Sequence, residues 1–406
     1  MISSLLYSLR SRAFVRILKH LRFGELTVTM PDGSTHHVKA PEDGPVADLT
    51  IHSQRALGRI MSDGKMGFCE AFMQGEVTSG NLTNLIELTV KQNDYVEENL
   101  KFSVLKTYFR QIMHWLNSNS KTGSRKNISY HYDLGNSFYD KWLDKSMTYS
   151  SAYFERDDDD LKTAQESKYR RLAEMVDLTP GDHVLEIGCG WGGFAEYAAR
   201  HFDVRITAIT ISKEQFDYAN ARIAAAGLSD KVTISLTDYR DLNQTYDKIV
   251  SIEMFEAVGE AYWPTYFETV ARCLQNNGKA ALQVITIDDR IFDDYKREPD
   301  FIQQYIFPGG MLPSVPRLAN PLKSAGLKLV QENGFGLHYA RTLQEWRDRF
   351  LDSWPEISTS GFDARFKRMW ELYLAYCEGG FRAGSIDVKH MLLERADEAI
   401  SPAAAE

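Results

Sequence analysis

The 406-residue sequence has little cysteine: Cys69, Cys189, Cys273 and Cys377 are all there is. Their spacing forms neither a disulfide framework nor a zinc-ligand pattern, so no metal is expected. A reducing, cytoplasmic setting suits such a chain. Long apolar runs are missing too. No stretch of 18 or more apolar residues exists to span a bilayer. An excess of basic charge is also lacking, with 56 acidic against 47 basic residues and a net charge of -9. Overall charge therefore does not hold a nucleic acid, and none is expected as a partner. Acidic residues are absent from positions 1 to 22. There Leu5, Leu6, Leu9, Phe14, Ile17, Leu18 and Leu21 share one broad helical face, with Arg10, Arg12, Arg16, Lys19, His20 and Arg22 interleaved. The interleaved charges and the lack of a small-residue cleavage site argue against a secretory signal. Two readings stay open: a basic amphipathic helix on an anionic membrane surface, or a helix packed on its own domain.

What is present is ordinary in bulk, at 43% hydrophobic and 25% charged. That composition buries a large core, and the length suits two domains or one large one. Glu25 to Met30 and Thr35 to Lys39 flank the turn Pro31-Asp32-Gly33 and read as a hairpin. Residues 51–61 are mixed, and 67–75 read as a short helix or loop. Apolar residues at Leu82, Leu85, Ile86 and Val90 predict a helix over 81–91. Another helix is expected over 100–118. Residues 117–127 are polar and turn-rich, the best linker in the chain. The expected division is a small N-terminal α+β domain at 1–116, that linker, and a catalytic α/β domain at 128–406.

From residue 164 helices and strands alternate. A helix over 164–176 precedes a strand at Val184. Strands follow at 204–209, 232–236, 246–252 and 278–287, with a helix over 213–225. Alternation of this kind implies a mostly parallel sheet covered by helices. Residues 291–316 interrupt it as an insertion. Residues 327–332 and 335–342 suit closing strands, 343–350 and 366–378 read as helices, and the tail past Ser401 as frayed.

The chain is organised around His183 to Phe194, HVLEIGCGWGGF. It reads as strand, glycine turn, helix. Glycines at such a turn allow positive φ and let a ligand lie against the backbone. The helix start behind them offers free N–H groups. Gly188, Gly190 and Gly193 formally match a dinucleotide fingerprint, so an NAD site and a plain turn are alternatives. Against NAD, the next strand leads into Thr210-Ile211-Ser212 without the expected ribose-binding acid. Glu186 instead precedes the glycines, at the strand end where ligands bind in open α/β sheets. That E-x-G-x-G-x-G order resembles motif I of class I S-adenosylmethionine (SAM) methyltransferases.

Further segments extend the resemblance. YHYDLGNSFY (Tyr130 to Tyr139) and MTYSSAYF (Met147 to Phe154) are dense in aromatics and read as a lid or an aromatic core cap. With LEIGCGWGG, TISKEQ, DYRDL, MFEAVG, YIFPGG-LPS and YC-GGFR they resemble cyclopropane-fatty-acyl-phospholipid synthases. The match covers nearly all of the catalytic part and, more faintly, the N-terminal domain. The resemblance implies a Rossmann-like class I SAM-methyltransferase domain. It implies one-carbon transfer from SAM to the cis double bond of an unsaturated phospholipid acyl chain, closing a cyclopropane ring. The carbocation on the way suits aromatic walls and a dry pocket. Its proton would pass to bound bicarbonate held by Ser151, Glu256, Gln283, the backbone of Ile285, and Tyr339. SAM contacts would come from Tyr149, Ser150, Glu186, Gly188, Gly190, Gly192, Thr210, Gln215, Asp238 and Tyr239. A homodimer at the inner face of the membrane is implied as well. Ser151 stands where cysteine is usual, Gln283 where histidine is usual, and Ala257 where histidine is common. These departures leave open a methyl-branched or methylene product, or a lipid-binding protein with degenerate catalysis. Gly190→Val is expected to abolish SAM binding, because a branched side chain takes the ligand's space. Titration calorimetry checks it; an isotherm like the parent's would refute the placement.

Overall fold

The computed structural model describes residues 2–92 and 134–396. The expected helix over 100–118, the linker at 117–127, Tyr130 to Asp133 of the aromatic motif, and the frayed tail lie outside the described residues.

The chain begins with α1 (Ile2–Leu18), β1 (Phe23–Thr29), β2 (Thr35–Lys39), β3 (Glu42–Ile51), α2 (Gln54–Met73), β4 (Val77–Thr78) and α3 (Leu82–Lys91). Then come α4 (Leu161–Met175), β5 (His183–Ile187), α5 (Gly193–His201), β6 (Arg205–Thr210), α6 (Lys213–Ala225), β7 (Val232–Leu236) and β8 (Tyr246–Ile252). Last are α7 (Trp263–Cys273), β9 (Leu274–Ile287), α8 (Asp289–Arg297), α9 (Val315–Ser324), β10 (Leu327–Gly334), α10 (Gly336–Asp352), α11 (Ala364–Ala383) and β11 (Ile386–Arg395).

Among the described residues the packing forms two units. One gathers residues 2–92, 294–308 and 336–386; the other gathers 134–293, 309–335 and 387–396. This grouping differs from the consecutive division expected from sequence. In the first unit, β2-β1-β3-β4 form a sheet in that order. The β1–β2 pair is the expected hairpin, with Leu26 opposite Val38. The strand β3, parallel to β1, was not anticipated. Helices α10 and α11 join this unit because α11 packs on α3. A Cβ on Gly379 would lie 2.7 Å from the Ile86 side chain, so the glycine permits the close approach. Buried Glu378 fastens the pair, taking a 2.9 Å hydrogen bond from Thr83 and ion pairs from Arg347 and Arg382. In α1, Phe14 and Leu18 are buried while Arg10, Arg12, Arg16 and Lys19 are exposed.

The second unit is built on a seven-stranded sheet ordered β10-β11-β9-β8-β5-β6-β7. β5 is paired in parallel with β6 on one side and β8 on the other. Its run of Val184, Leu185 and Ile187 is buried, as a parallel strand covered on both faces must be. Leu172 of α4, Phe194 and Ala198 of α5, and Ile223 of α6 pack around Val184, Ile206 and Ala208. Asp160 caps α4 by accepting from the Thr163 N–H at 2.8 Å. Chain order reverses beside β5, which opens a crevice at the carboxyl ends of β5 and β8. Residues 335–342, expected as a closing strand, instead start α10. Tyr339, Leu343, Trp346 and Phe350 are among its buried residues, at spacings of three and four. The strand that completes the sheet is β11, antiparallel to β10.

Leu185→Ala removes a fully buried side chain from the central strand. It should cost about 2–5 kcal/mol, read from the denaturant midpoint at unchanged slope.

Candidate active site

The crevice is built first by the glycine turn. Gly188 has φ +83°, and a Cβ there would lie 2.7 Å from the Met254 side chain. Gly190 has φ +51°, and a Cβ there would meet nothing within 4 Å. The first glycine lets two segments touch; the second faces open space, as a ligand platform requires. Gly192, in the left-handed region, leads into α5. The N–H groups of Gly188 and Cys189 both donate to the Ile209 carbonyl, at 3.0 and 2.9 Å, tying the turn to the end of β6. There Thr210 and Gln215 share a 2.9 Å hydrogen bond. The Thr237 N–H donates to the Thr210 carbonyl at 3.0 Å, which sets Asp238 beside the same rim. Asp238 is buried and held by the Arg240 guanidinium, at 2.8 and 2.7 Å to its two oxygens. Tyr239 packs its ring 5.5 Å from that of Tyr266.

Glu186, the penultimate residue of β5, is 2% exposed, and its Oε2 has no hydrogen-bond partner. Burial pushes its carboxyl up to about 8, against the opposing pull of Arg222, Lys168 and the Ala195 N–H. An unsatisfied buried carboxylate beside an open glycine turn fits a cationic ligand such as SAM.

The aromatic segment supplies the wall. Tyr139 sits among Trp191, Tyr149 and Trp142, with ring centres 5.1, 5.5 and 5.6 Å away. The Trp191 indole N–H donates to Asn136 at 2.7 Å, so the motif is bonded directly to the glycine turn. Ser150 is held by two residues of α4. Lys168 Nζ donates to its Oγ at 2.6 Å, and Gln165 donates to its carbonyl at 2.9 Å. Lys168 is fully buried. Burial pulls its ammonium down to about 7, although Glu253, Asp144 and Glu186 favour the charged form. No sequence signal marked it; an isolated lysine in a helix reads as solvent-facing.

A second cluster lies at the ends of β8 and β9. Glu256 Oε1 accepts from the Ile285 N–H at 2.5 Å, and its Oε2 is buried without a partner. Burial, and then the neighbouring Glu253, push Glu256 up to about 8. The backbone of residues 311–313 runs along this cluster: the Met311 N–H donates to the Glu256 carbonyl at 2.8 Å. Gln283 Nε2 donates to Glu253 Oε1 at 2.7 Å, and the Ser151 N–H donates to the same oxygen at 2.8 Å. Ser151 Oγ donates to the Ala152 carbonyl at 3.0 Å. On its other side Gln283 Oε1 pairs with His390 Nε2 at 2.8 Å. An amide oxygen only accepts, so that imidazole nitrogen carries the proton. Burial, Arg171 and Lys168 hold His390 down at about 3, as a neutral ring.

The structure thus brings together Ser151, Gln283, Ile285 and Glu256. Tyr339 belongs to the first unit, on α10, stacked 4.6 Å from Phe381. Sequence reasoning missed Glu253 and His390. Glu253 follows the end of β8, the position that singled out Glu186, and that signal was available. Three donors that the resemblance assigned to bicarbonate are already spent: Ile285 N–H on Glu256, Gln283 Nε2 on Glu253, and Ser151 Oγ on the Ala152 carbonyl. The residues present do not fit that ion as a resident base.

Comparison with known proteins decides the family. A model of the mycolic acid cyclopropane synthetase family matches residues 119–391. The chain belongs to that family. Residues 13–101 match a domain family of unknown function. The chain is 37% identical to the tuberculostearic acid methyltransferase UfaA1 of Mycobacterium tuberculosis, over 96% of this chain and 91% of that protein. It is 38% identical to the cyclopropane-fatty-acyl-phospholipid synthase of Escherichia coli K12, over 87% of this chain and 89% of that one. Among solved structures, the mycolic acid cyclopropane synthase CmaA1 complexed with SAH and CTAB aligns with a TM-score of 0.63 and 29% identity, covering 67% of this chain and 98% of that one. The family membership makes this protein a SAM-dependent methyltransferase with the class I fold.

Glu186 generates a pH prediction. A cationic ligand binds its ionised form, so binding releases a proton below about pH 8. SAM affinity should rise with pH up to about 8 and then level. Glu186→Gln should flatten that rise and weaken binding about tenfold or more. Calorimetry in buffers of differing ionisation enthalpy reads both; a pH-independent parent Kd would contradict the placement.

Proposed function

We propose that this enzyme transfers one carbon from SAM to the cis double bond of an unsaturated phospholipid acyl chain. The observation that carries the reading is the pairing of a buried, unsatisfied Glu186 beside the glycine turn with a second buried carboxylate cluster around Glu256. One cluster suits the cationic donor, and the other suits removal of a proton from a cationic product. Bound SAM supplies an electrophilic methyl on sulfur. The chain's residues do the rest. Glu186, Gly188, Gly190, Gly192, Thr210, Gln215, Asp238, Tyr239, Tyr149 and Ser150 bind and orient the donor. An alkene is a weak nucleophile, so this alignment carries much of the catalysis. Tyr139, Trp142, Tyr149 and Trp191 offer aromatic faces to developing positive charge and exclude water. Glu256, with Ser151, Gln283 and Ile285, belongs to the proton-removal site.

Two products fit this chemistry. Loss of a methyl proton with ring closure gives a cyclopropane. Hydride migration before proton loss gives a methylene branch. Both outcomes lose a proton from the same methyl carbon and differ only in whether a hydride moves first. The exposed Arg10, Arg12, Arg16 and Lys19 suit docking on anionic headgroups at the inner membrane face. Residues 1–116 as docking domain, 117–127 as linker, 128–406 as catalytic region and assembly as a homodimer complete the proposal.

Vesicles of cis-unsaturated phospholipid, incubated with enzyme and SAM, test it. Acyl chains gaining 14 mass units (one CH2, a methyl less the departing proton) are expected by gas chromatography and mass spectrometry. Hydrogenation distinguishes a ring from a methylene. Unchanged acyl chains with SAM bound would overturn the reading. Glu256→Gln should cut turnover about 100-fold or more while SAM Kd holds.

A further inference from the structure

We propose that Glu253 is the proton acceptor of the reaction, standing where the family resemblance would put a borrowed bicarbonate. This rests on the acyl-alkene reading above. Four observations meet on the residue. Its Oε1 accepts both the Ser151 N–H and the Gln283 Nε2–H, two groups otherwise available to an anion. Its own N–H donates to the Gln283 carbonyl at 2.8 Å, so backbone and side chain grip one partner. His390 fixes the Gln283 amide from behind, at 2.8 Å, and thereby aims Nε2 at Glu253. Finally, Glu253 holds φ +49°, a left-handed conformation that is strained for a non-glycine residue. Strain of that kind persists where surrounding contacts over-determine it.

The step balances without an added base. The alkene π pair forms a bond to the methyl carbon, while the pair of the broken S–CH3 bond stays on sulfur. Positive charge passes to the other alkene carbon. The Glu253 carboxylate removes one proton from the new methyl. The freed C–H pair closes the ring, or forms a C=C bond if a hydride has first moved between the two alkene carbons. Glu256, pushed up by burial and by Glu253, stays protonated beside it and leaves the ionised role to its neighbour. His390 is a positioning residue, acting through Gln283.

The positive φ supplies a clean variant. Glu253→Gly deletes the carboxylate and relieves strain, which offsets part of the cost of unpairing the Ser151 and Gln283 donors, so the protein should stay folded. In carbon dioxide-free buffer the parent should modify vesicle lipid as fast as with bicarbonate present. E253G should lose about 100-fold or more in turnover and recover at least about tenfold of it with millimolar bicarbonate. E253Q, which still fills the space, should lose turnover without rescue. Carbon-13 bicarbonate NMR reads the site without any lipid: saturable binding to E253G and none to the parent. That arm separates failure of this proposal from failure of the acyl-chain reading. Bicarbonate-dependent turnover or saturable bicarbonate binding by the parent would overturn it, as would full turnover of E253G in depleted buffer.

Discussion

Carboxylates denied water are the constraint behind this structure. Glu186 and Glu256 each bury an oxygen with no protein partner. Leaving such an atom unpaired costs on the order of 1–3 kcal/mol, more when ionised. Folding alone gives no return on that cost. The return comes on ligand binding, when positive charge enters the crevice. The surrounding core of the second unit, with Leu172, Val184, Phe194 and Ile206, is what keeps the two acids in place.

Lys168 moderates the cost. Among the described residues it is the sole lysine or arginine in the buried set. It feels Glu253, Asp144 and Glu186 together, yet its one hydrogen bond goes to Ser150. Arg222 acts on Glu186 as well, more strongly than Lys168, yet burial outweighs both and leaves the carboxyl raised. The crevice therefore favours a ligand that brings positive charge of its own. The separation of roles follows from the sheet: β5 presents the first acid, and β8 with β9 presents the second cluster.

The legible parts of the sequence were those with short-range causes. The run Val184 to Ile187 followed by glycines announces β5 and its turn, because burial on both faces and positive φ act within a dozen residues. Strands β7 and β8 and helix α6 matched their expected limits for the same reason. Residues 335–342 misled because Phe335, Leu337 and Tyr339 mimic alternation until Leu343, Trp346 and Phe350 are counted with them. The unit boundaries were illegible: α11 meets α3 nearly 300 residues away in sequence, and only Gly379 hints at it. Ser151, Gln283, Ile285 and Glu256 lie in one cluster in the second unit. Glu253 could have been flagged by its place just after β8, whereas His390 escaped because its significance lies in a contact to Gln283, about 100 residues distant.

The position of β11 has a bearing on biosynthesis. This strand comes after every other in the chain, yet it lies between β10 and β9, not at a sheet margin. A nascent polypeptide that has reached α11 still has two strand edges waiting for a partner. It also lacks the imidazole that steadies Gln283. Assembly of the catalytic apparatus must then wait for translation to pass residue 395, and a premature stop before β11 yields a product with a gap through its sheet. Closure of the sheet thus falls to the last described strand to be synthesised.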